Sequence, residues 1–245
     1  MAGCRPLGAD ELARLVAAGR GLWPSRDRAF ILLGCATGFR CSELLSLRRV
    51  DVLDGGGRVR PVLTVARRNM KKKVAARSVP LTEHTREMLR GWLLELERAG
   101  FLLKIDPLFP KRGAAPVVEA GRIAAVEALT RVSAWKMIRR RARTAGVAEA
   151  HTGTHSMRKT FTAAVYGSWL ERLAKGERVD PLRQTQEALG HKNIQSTIAY
   201  LASVTVEDRA ASFHAASRAL ESCFQGDKTG EHFGETFPPG AKDDG

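Results

Sequence analysis

The sequence predicts a mainly α-helical protein carrying one small antiparallel β-hairpin, an α+β fold. Three observations carry this expectation. After Thr82, the apolar residues Met88, Leu89, Trp92, Leu93 and Leu96 recur at helical spacing and Gly100 closes the run. The same period returns over 133–145 and from 155 to about 173. Only between 62 and 79 does the pattern switch to strand: Val62–Val65 and 74–79 read as two strands joined by a lysine-rich connection at 67–73.

In chain order, Asp10 is expected to cap a first helix with Leu12, Leu15 and Val16 as its stripe. Trp23-Pro24 breaks the chain and Ser25 is placed as the cap of a second helix through Ala29, Phe30, Leu32, Leu33 and Ala36. Thr37-Gly38 stops it, and Ser42 starts a third with Leu44, Leu45 and Leu47. A turn-rich break covers 51–57, and 101–116 reads as a loop. A short helix is expected over 123–129. The helix over 133–145 should turn Trp135, Ile138 and Ala142 inward and Lys136, Arg139, Arg140, Arg141 and Arg143 outward. A last amphipathic helix is expected over 207–222, and the Gly-, Pro- and acid-rich 226–245 as a disordered tail.

Composition narrows the function classes. The 245 residues, 44% hydrophobic, suffice for a real core. No apolar run reaches membrane-spanning length and no signal-peptide pattern opens the chain. Cys4, Cys35, Cys41 and Cys223 form no C-x-x-C pair, so reduced thiols and a cytoplasmic setting are expected. None of the six histidines forms a metal-ligand pattern; His151 and His155 are four apart but no carboxylate or cysteine joins them. The net charge is +14, and because 226–245 holds two lysines against five acids, residues 1–225 carry +17. A body that basic suits a polyanion such as nucleic acid, or a solubilising surface.

The chemistry concentrates in 154–200. T-H-S-M-R-K-T-F puts His155 and Arg158 three apart on one helix face, with Thr152 or Thr154 as cap, beside the free N–H groups of a first turn. L-G-H-K-N-I-Q-S-T-I-A-Y ends one helix at Leu189, caps it with Gly190, turns through His191 and starts a short helix bearing Tyr200. Upstream, Arg40 lies at a helix start, where the macrodipole disfavours a cation. An anion bound there would offset that; the plainer reading is a surface arginine. Lys71, Lys72 and Lys73 form a solvated phosphate-attracting loop or a catalytic device.

T-G-F-R-C-S-E-L-L-S-L with Arg40, a lysine hairpin, H-S-M-R, and L-G-H followed by Tyr200 come in one fixed order. This arrangement resembles the tyrosine recombinase (phage integrase) family over about residues 10–222. The resemblance implies that family's catalytic-domain fold over 1–225. It implies Tyr200 as the nucleophile attacking a scissile DNA phosphate, leaving a 3′-phosphotyrosine and a free 5′-hydroxyl. Arg40 and Arg158 would hold the non-bridging oxygens, since guanidinium stays charged and presents a planar donor fork. His155 would handle the tyrosine proton, His191 would hydrogen-bond the phosphate, and Lys72, with Lys71 as the alternative, would protonate the leaving 5′-oxygen. Glu43 and Asp51 match acidic positions read as structural supports, and Lys159 stands where many relatives have histidine.

The resemblance implies no metal, because two arginines and two imidazoles can neutralise the charge that builds on phosphorus, and no cofactor, because the phosphotyrosine conserves the phosphodiester energy. The implied partner is double-stranded DNA, bound as a homotetramer with a monomer in solution and no membrane association; a nucleoid-associated cytoplasmic location follows. Most relatives carry an N-terminal DNA-clamping domain that the sequence lacks, so it is expected to act through the catalytic domain alone or to be a fragment. Two other functions use the same residues: a topoisomerase-like relaxer without sequence preference, and a DNA-binding module with a vestigial site.

Overall fold

The computed structural model describes residues 3–19, 23–66, 76–111, 113–114, 118–119, 122–123 and 126–202, with 118–119 and 122–123 as backbone only. The lysine connection at 67–73, the expected helix over 207–222 and the tail 226–245 lie outside the described residues. The architecture is mainly helical with two two-stranded antiparallel sheets among the described residues, the expected hairpin and a second, shorter one that pairs Val118 with Ile123 and Glu119 with Arg122. In order, it runs α1 (Ala9–Ala17), α2 (Pro24–Thr37), α3 (Cys41–Leu45), α4 (Arg49–Val52), β1 (Val62–Val65), β2 (Arg77–Pro80), α5 (Glu83–Arg98), β3 (Val118–Glu119), β4 (Arg122–Ile123), α6 (Arg131–Thr144), α7 (Thr154–Ala174), α8 (Pro181–Leu189) and α9 (Ile194–Ala202).

Helix α2 is the centre. Ala29, Phe30, Ile31, Leu32, Leu33 and Cys35 are all buried, so it is covered on every side rather than along one stripe. It packs against α1, α5, α6 and α7, with Phe30 and Phe109 meeting edge to face at 5.1 Å. Its end is set by Gly38, at φ 60°, a conformation that costs a residue with a Cβ. A side chain there would also collide with the Phe161 ring of α7. The chain therefore reverses tightly against α7 and delivers Arg40 to the start of α3.

The hairpin pairs Leu63 with Val79 and Val65 with Arg77. Strand alternation turns Leu63, Val65, Arg77 and Val79 inward and leaves Thr64 and Ser78 outside, where their hydroxyls bond at 2.8 Å. An arginine on the inward face of a strand is the exception in this pattern.

Several caps differ from expectation. Gly8, not Asp10, caps α1, with its N–H donating to Glu11 of the first turn. Trp23 caps α2, because Pro24 fits the first helical position and leaves Ser25 inside. Arg40 rather than Ser42 is the cap of α3, where Glu43 accepts from its N–H at 2.8 Å. Gly153, not Thr152 or Thr154, caps α7, its N–H donating to Ser156 Oγ. The expected break at 51–57 begins as the short helix α4, capped by Asp51 accepting from the Arg48 N–H. Thr82 does cap α5, accepting from the Thr85 N–H, and Gly190 closes α8 at φ 63°.

Among the described residues of 123–129, the expected short helix is not there. Arg122–Ile123 is strand, and 127–129 runs extended beside 109–111 through Lys111 N to Glu127 O and Leu129 N to Phe109 O. Those backbone bonds fix the segment before helical period can act. In α6, Trp135 is 45% exposed while Arg141 is buried. Arg141 Nη2 donates to Val16 O at 2.6 Å and Nε to Leu15 O at 3.1 Å, so it satisfies carbonyls at the end of α1, where the helix dipole favours a cation. Trp135 instead lies under Arg139 at 5.1 Å.

Candidate active site

Three chain reversals meet at one place: the α2–α3 corner, the first turn of α7, and the α8–α9 turn. Arg158, on the inward face of α7, is 1% exposed although it carries a full charge. Helix ends hold it. Its Nη1 donates to Gly38 O after α2, and its Nη2 donates to Leu189 O at the end of α8 at 2.9 Å. Both carbonyls belong to helix C-termini, where partial negative charge offsets part of the cost of burying a cation.

Arg77, which the sequence reading placed in a strand without a site role, is the second buried cation. It donates to Thr37 O and, at 3.3 Å, to the same Gly38 O that Arg158 uses. Its guanidinium lies 4.8 Å from the Phe39 ring centroid. Arg40 is the accessible member, with 31% of its side chain exposed and Nη1 bonded to Glu43 Oε1 at 2.7 Å. Glu43 is fully buried, and its second oxygen lies 3.7 Å from Arg77 Nη1. Two guanidiniums thus flank one carboxylate, and Arg158 feels it at longer range. Burial and mutual repulsion push Arg77 down to about 9 and Arg158 to about 10.

The imidazoles and the phenol close the group. Arg158 Nη2 lies 3.0 Å from His191 Nε2. Since arginine can only donate, Nε2 is the bare nitrogen, and Nδ1 carries the proton donated to Thr197 Oγ1 at 3.0 Å. Burial, then Arg158, Arg40 and Arg77, push His191 down to about 4. His155 is lowered too, by burial first and then by Arg158, Lys159, Arg131 and Arg40. Lys159 therefore acts on the site through charge.

The Tyr200 hydroxyl lies 3.5 Å from His155 Nδ1, and its ring centroid is 5.8 Å from the Arg158 guanidinium carbon and 5.5 Å from the His191 ring. Cys41, adjacent to Arg40, is held as a thiol by burial, its pKa pushed up to about 11. Among the described residues, no group of three His, Cys, Asp or Glu side chains could hold a metal ion.

Five of the six sequence-predicted site residues, Arg40, His155, Arg158, His191 and Tyr200, are brought together; Lys72 lies outside the described residues. Sequence reasoning missed Arg77 and Thr197. The signal for Arg77 was its parity with Val79: a charge on the core face of a strand.

A model described as the phage integrase family matches residues 5–206. The chain belongs to the phage integrase family. Among relatives, the tyrosine recombinase XerD of Xanthomonas axonopodis pv. citri is 28% identical over 176 residues, 71% of this chain and 50% of that protein. A putative integrase/recombinase, y4rC, of Sinorhizobium fredii is 36% identical over 87 residues, 35% of this chain and 24% of that protein. The chain thus spans half or less of the length of these relatives. Among solved structures, the XerH site-specific recombinase bound to palindromic difH substrate in a post-cleavage complex matches with a TM-score of 0.56 and 25% identity over 81% of this chain and 49% of that one. XerA recombinase matches with a TM-score of 0.57 over 93% of this chain and 66% of that one; at 21% identity it bears on the fold alone. The integrase catalytic fold expected from the sequence is therefore shown.

Proposed function

We propose that this integrase-family chain cleaves and rejoins double-stranded DNA at specific sites through a 3′-phosphotyrosine on Tyr200. The observation that carries the reading is the meeting of the Tyr200 hydroxyl, His155 Nδ1 and the Arg158 guanidinium at the α7–α9 contact. In the reaction, the phenol oxygen bonds to phosphorus as the bond to the 5′-oxygen breaks. His155, kept neutral by its lowered pKa, accepts the phenol proton, and Lys72 supplies a proton to the leaving oxygen.

Arg40 and Arg158 hold the non-bridging oxygens, where negative charge builds on the pentacoordinate phosphorus; one such donor is worth roughly 3–4 kcal/mol, two to three decades in rate. Arg158 is covered by Tyr200 and His191. A phosphate reaching Arg158 would displace that cover, and His191, taking up a proton from solvent at Nε2, would change from an acceptor of Arg158 into a donor to phosphate. Strand exchange is assigned to a homotetramer on DNA, and the setting to the nucleoid.

The test is a set of nicked suicide duplexes. A covalent adduct on particular sequences that vanishes in Tyr200→Phe supports site-specific recombination. Adduct on every sequence supports a relaxer, and tight binding without adduct sinks the catalytic reading.

A further inference from the structure

We infer that Arg77 is a positioning residue, locking the α2 end and Glu43 into one unit so that Arg40 and Arg158 are held at a fixed spacing for a phosphate that Arg77 never touches. This rests on the transesterification reading above. Arg77 cannot reach a ligand from outside: 5% of its side chain is exposed, against 31% for Arg40.

Its partners, however, are those of the two phosphate arginines. The Gly38 carbonyl accepts from both Arg77 and Arg158, and Glu43 faces Arg77 with one oxygen while bonding Arg40 with the other. Removing Arg77 would leave the buried Glu43 with one cation instead of two. It would also release the carbonyls of Thr37 and Gly38, on which the α2–α3 corner and the Arg158 fork both depend.

A neutral donor could have capped α2. A charged one, wedged against the faces of Phe39 and Phe161 beside two other cations, costs desolvation and repulsion. Set against Glu43, the three guanidiniums carry a surplus of two positive charges, which an incoming phosphate offsets. The Nε atom of Arg158 is also buried without a hydrogen-bond partner among the described residues. Such an arrangement is poor for stability alone and suited to an anion.

The effect extends to His191. It is faced by Arg158 from α7, by Arg40 from the α2–α3 corner, by Arg77 from β2, and by Thr197 and Tyr200 from α9. Arg77 is the third of its cationic neighbours in strength.

The experiment uses the full chain with Arg77→Met and Arg77→Lys. It reads the adduct rate at saturating nicked duplex, non-covalent affinity in a Tyr200→Phe background, and the His191 titration by NMR without DNA. The Met variant is expected to lose about ten- to a hundredfold in adduct rate with less than about a threefold change in affinity. Lys should restore part of the rate. His191 should titrate higher in the Met variant and stay in place in the Lys variant, a response that a purely packing role would not produce.

An adduct rate within about twofold of wild type in the Met variant overturns the inference, as does equal loss of rate and affinity with His191 unmoved. If the Met variant does not melt cooperatively, the Lys variant decides: it keeps the charge but lacks the fork for three acceptors, so an undiminished rate there overturns the inference. Wild-type chain that forms no adduct on any duplex sinks the parent reading instead, and the His191 titration, which needs no DNA, still tests the link from Arg77.

Discussion

Acidification should destabilise the DNA-free protein through His191. The ring is pushed from its ordinary value of 6.5 to about 4 by burial and by three nearby guanidiniums. As pH falls from 6.5, the unfolded chain takes up this proton and the folded chain does not, so stability is intact above 6.5 and drains away down to about 4. Linkage over that shift gives a loss of about 2 kcal/mol between pH 7 and pH 5. The ring is only half-buried, so solvent screening brings the expectation to about 1 kcal/mol.

Urea unfolding at pH 7 and pH 5 measures it, with His191→Gln as the reference. Gln keeps an acceptor for Arg158 and cannot titrate, and the wild-type-minus-variant difference removes the contributions of His155 and the carboxylates. Equal pH dependence in the two proteins would refute the reasoning, because the guanidiniums would then not be acting on the ring. With a phosphate at the site the cationic ring is favoured, and the acid penalty should shrink in a DNA complex.

Arg40→Ala should lower the adduct rate by roughly 10²–10³, measured on the suicide duplex at saturation, because Arg40 is the accessible guanidinium of the three. Gly38→Ala should cost about 2–4 kcal/mol in urea unfolding, since it combines a positive-φ penalty with a collision against Phe161. Thr82→Ala, far from the chemistry, should cost about 1 kcal/mol in the same assay and leave the adduct rate unchanged, because it removes the cap of α5 and a hydroxyl contact with Thr85.

What the sequence made legible followed from local rules. The α5 stripe between Thr82 and Gly100, the stop at Gly38 and the Gly190 turn each depend on residues within a few positions of one another, so periodicity and capping chemistry suffice. The failures are tertiary. Trp135 looked like core by hydrophobicity and Arg141 like surface by charge, but the α1 carbonyls needed a donor, and the longer arginine could reach them from α6. The segment 127–129 has helical composition, yet its backbone bonds to 109–111 came from elsewhere in the chain. In the site, Arg40, His155, Arg158, His191 and Tyr200 were found through ordered motifs. Arg77 carries no motif and is defined by three partners that are distant in sequence: Thr37, Gly38 and Glu43.

The same contacts explain how so much positive charge stays in a dry place without losing its protons. Arg158 is bracketed by the carbonyl ends of α2 and α8, and Arg77 by the end of α2 alone. Burial is the largest cause that lowers both, to about 9 for Arg77 and about 10 for Arg158, and repulsion from neighbouring guanidiniums follows. Helix dipoles stabilise each cation at fixed geometry, but they do not cancel the charge. A counter-carboxylate for every arginine would have cancelled it, and an arriving phosphate would then have had to break ion pairs. With Glu43 bonded to Arg40 and facing Arg77, the cluster carries more positive than negative charge, and under the proposed function that deficit would favour a phosphate over the cover of Tyr200 and His191 on Arg158.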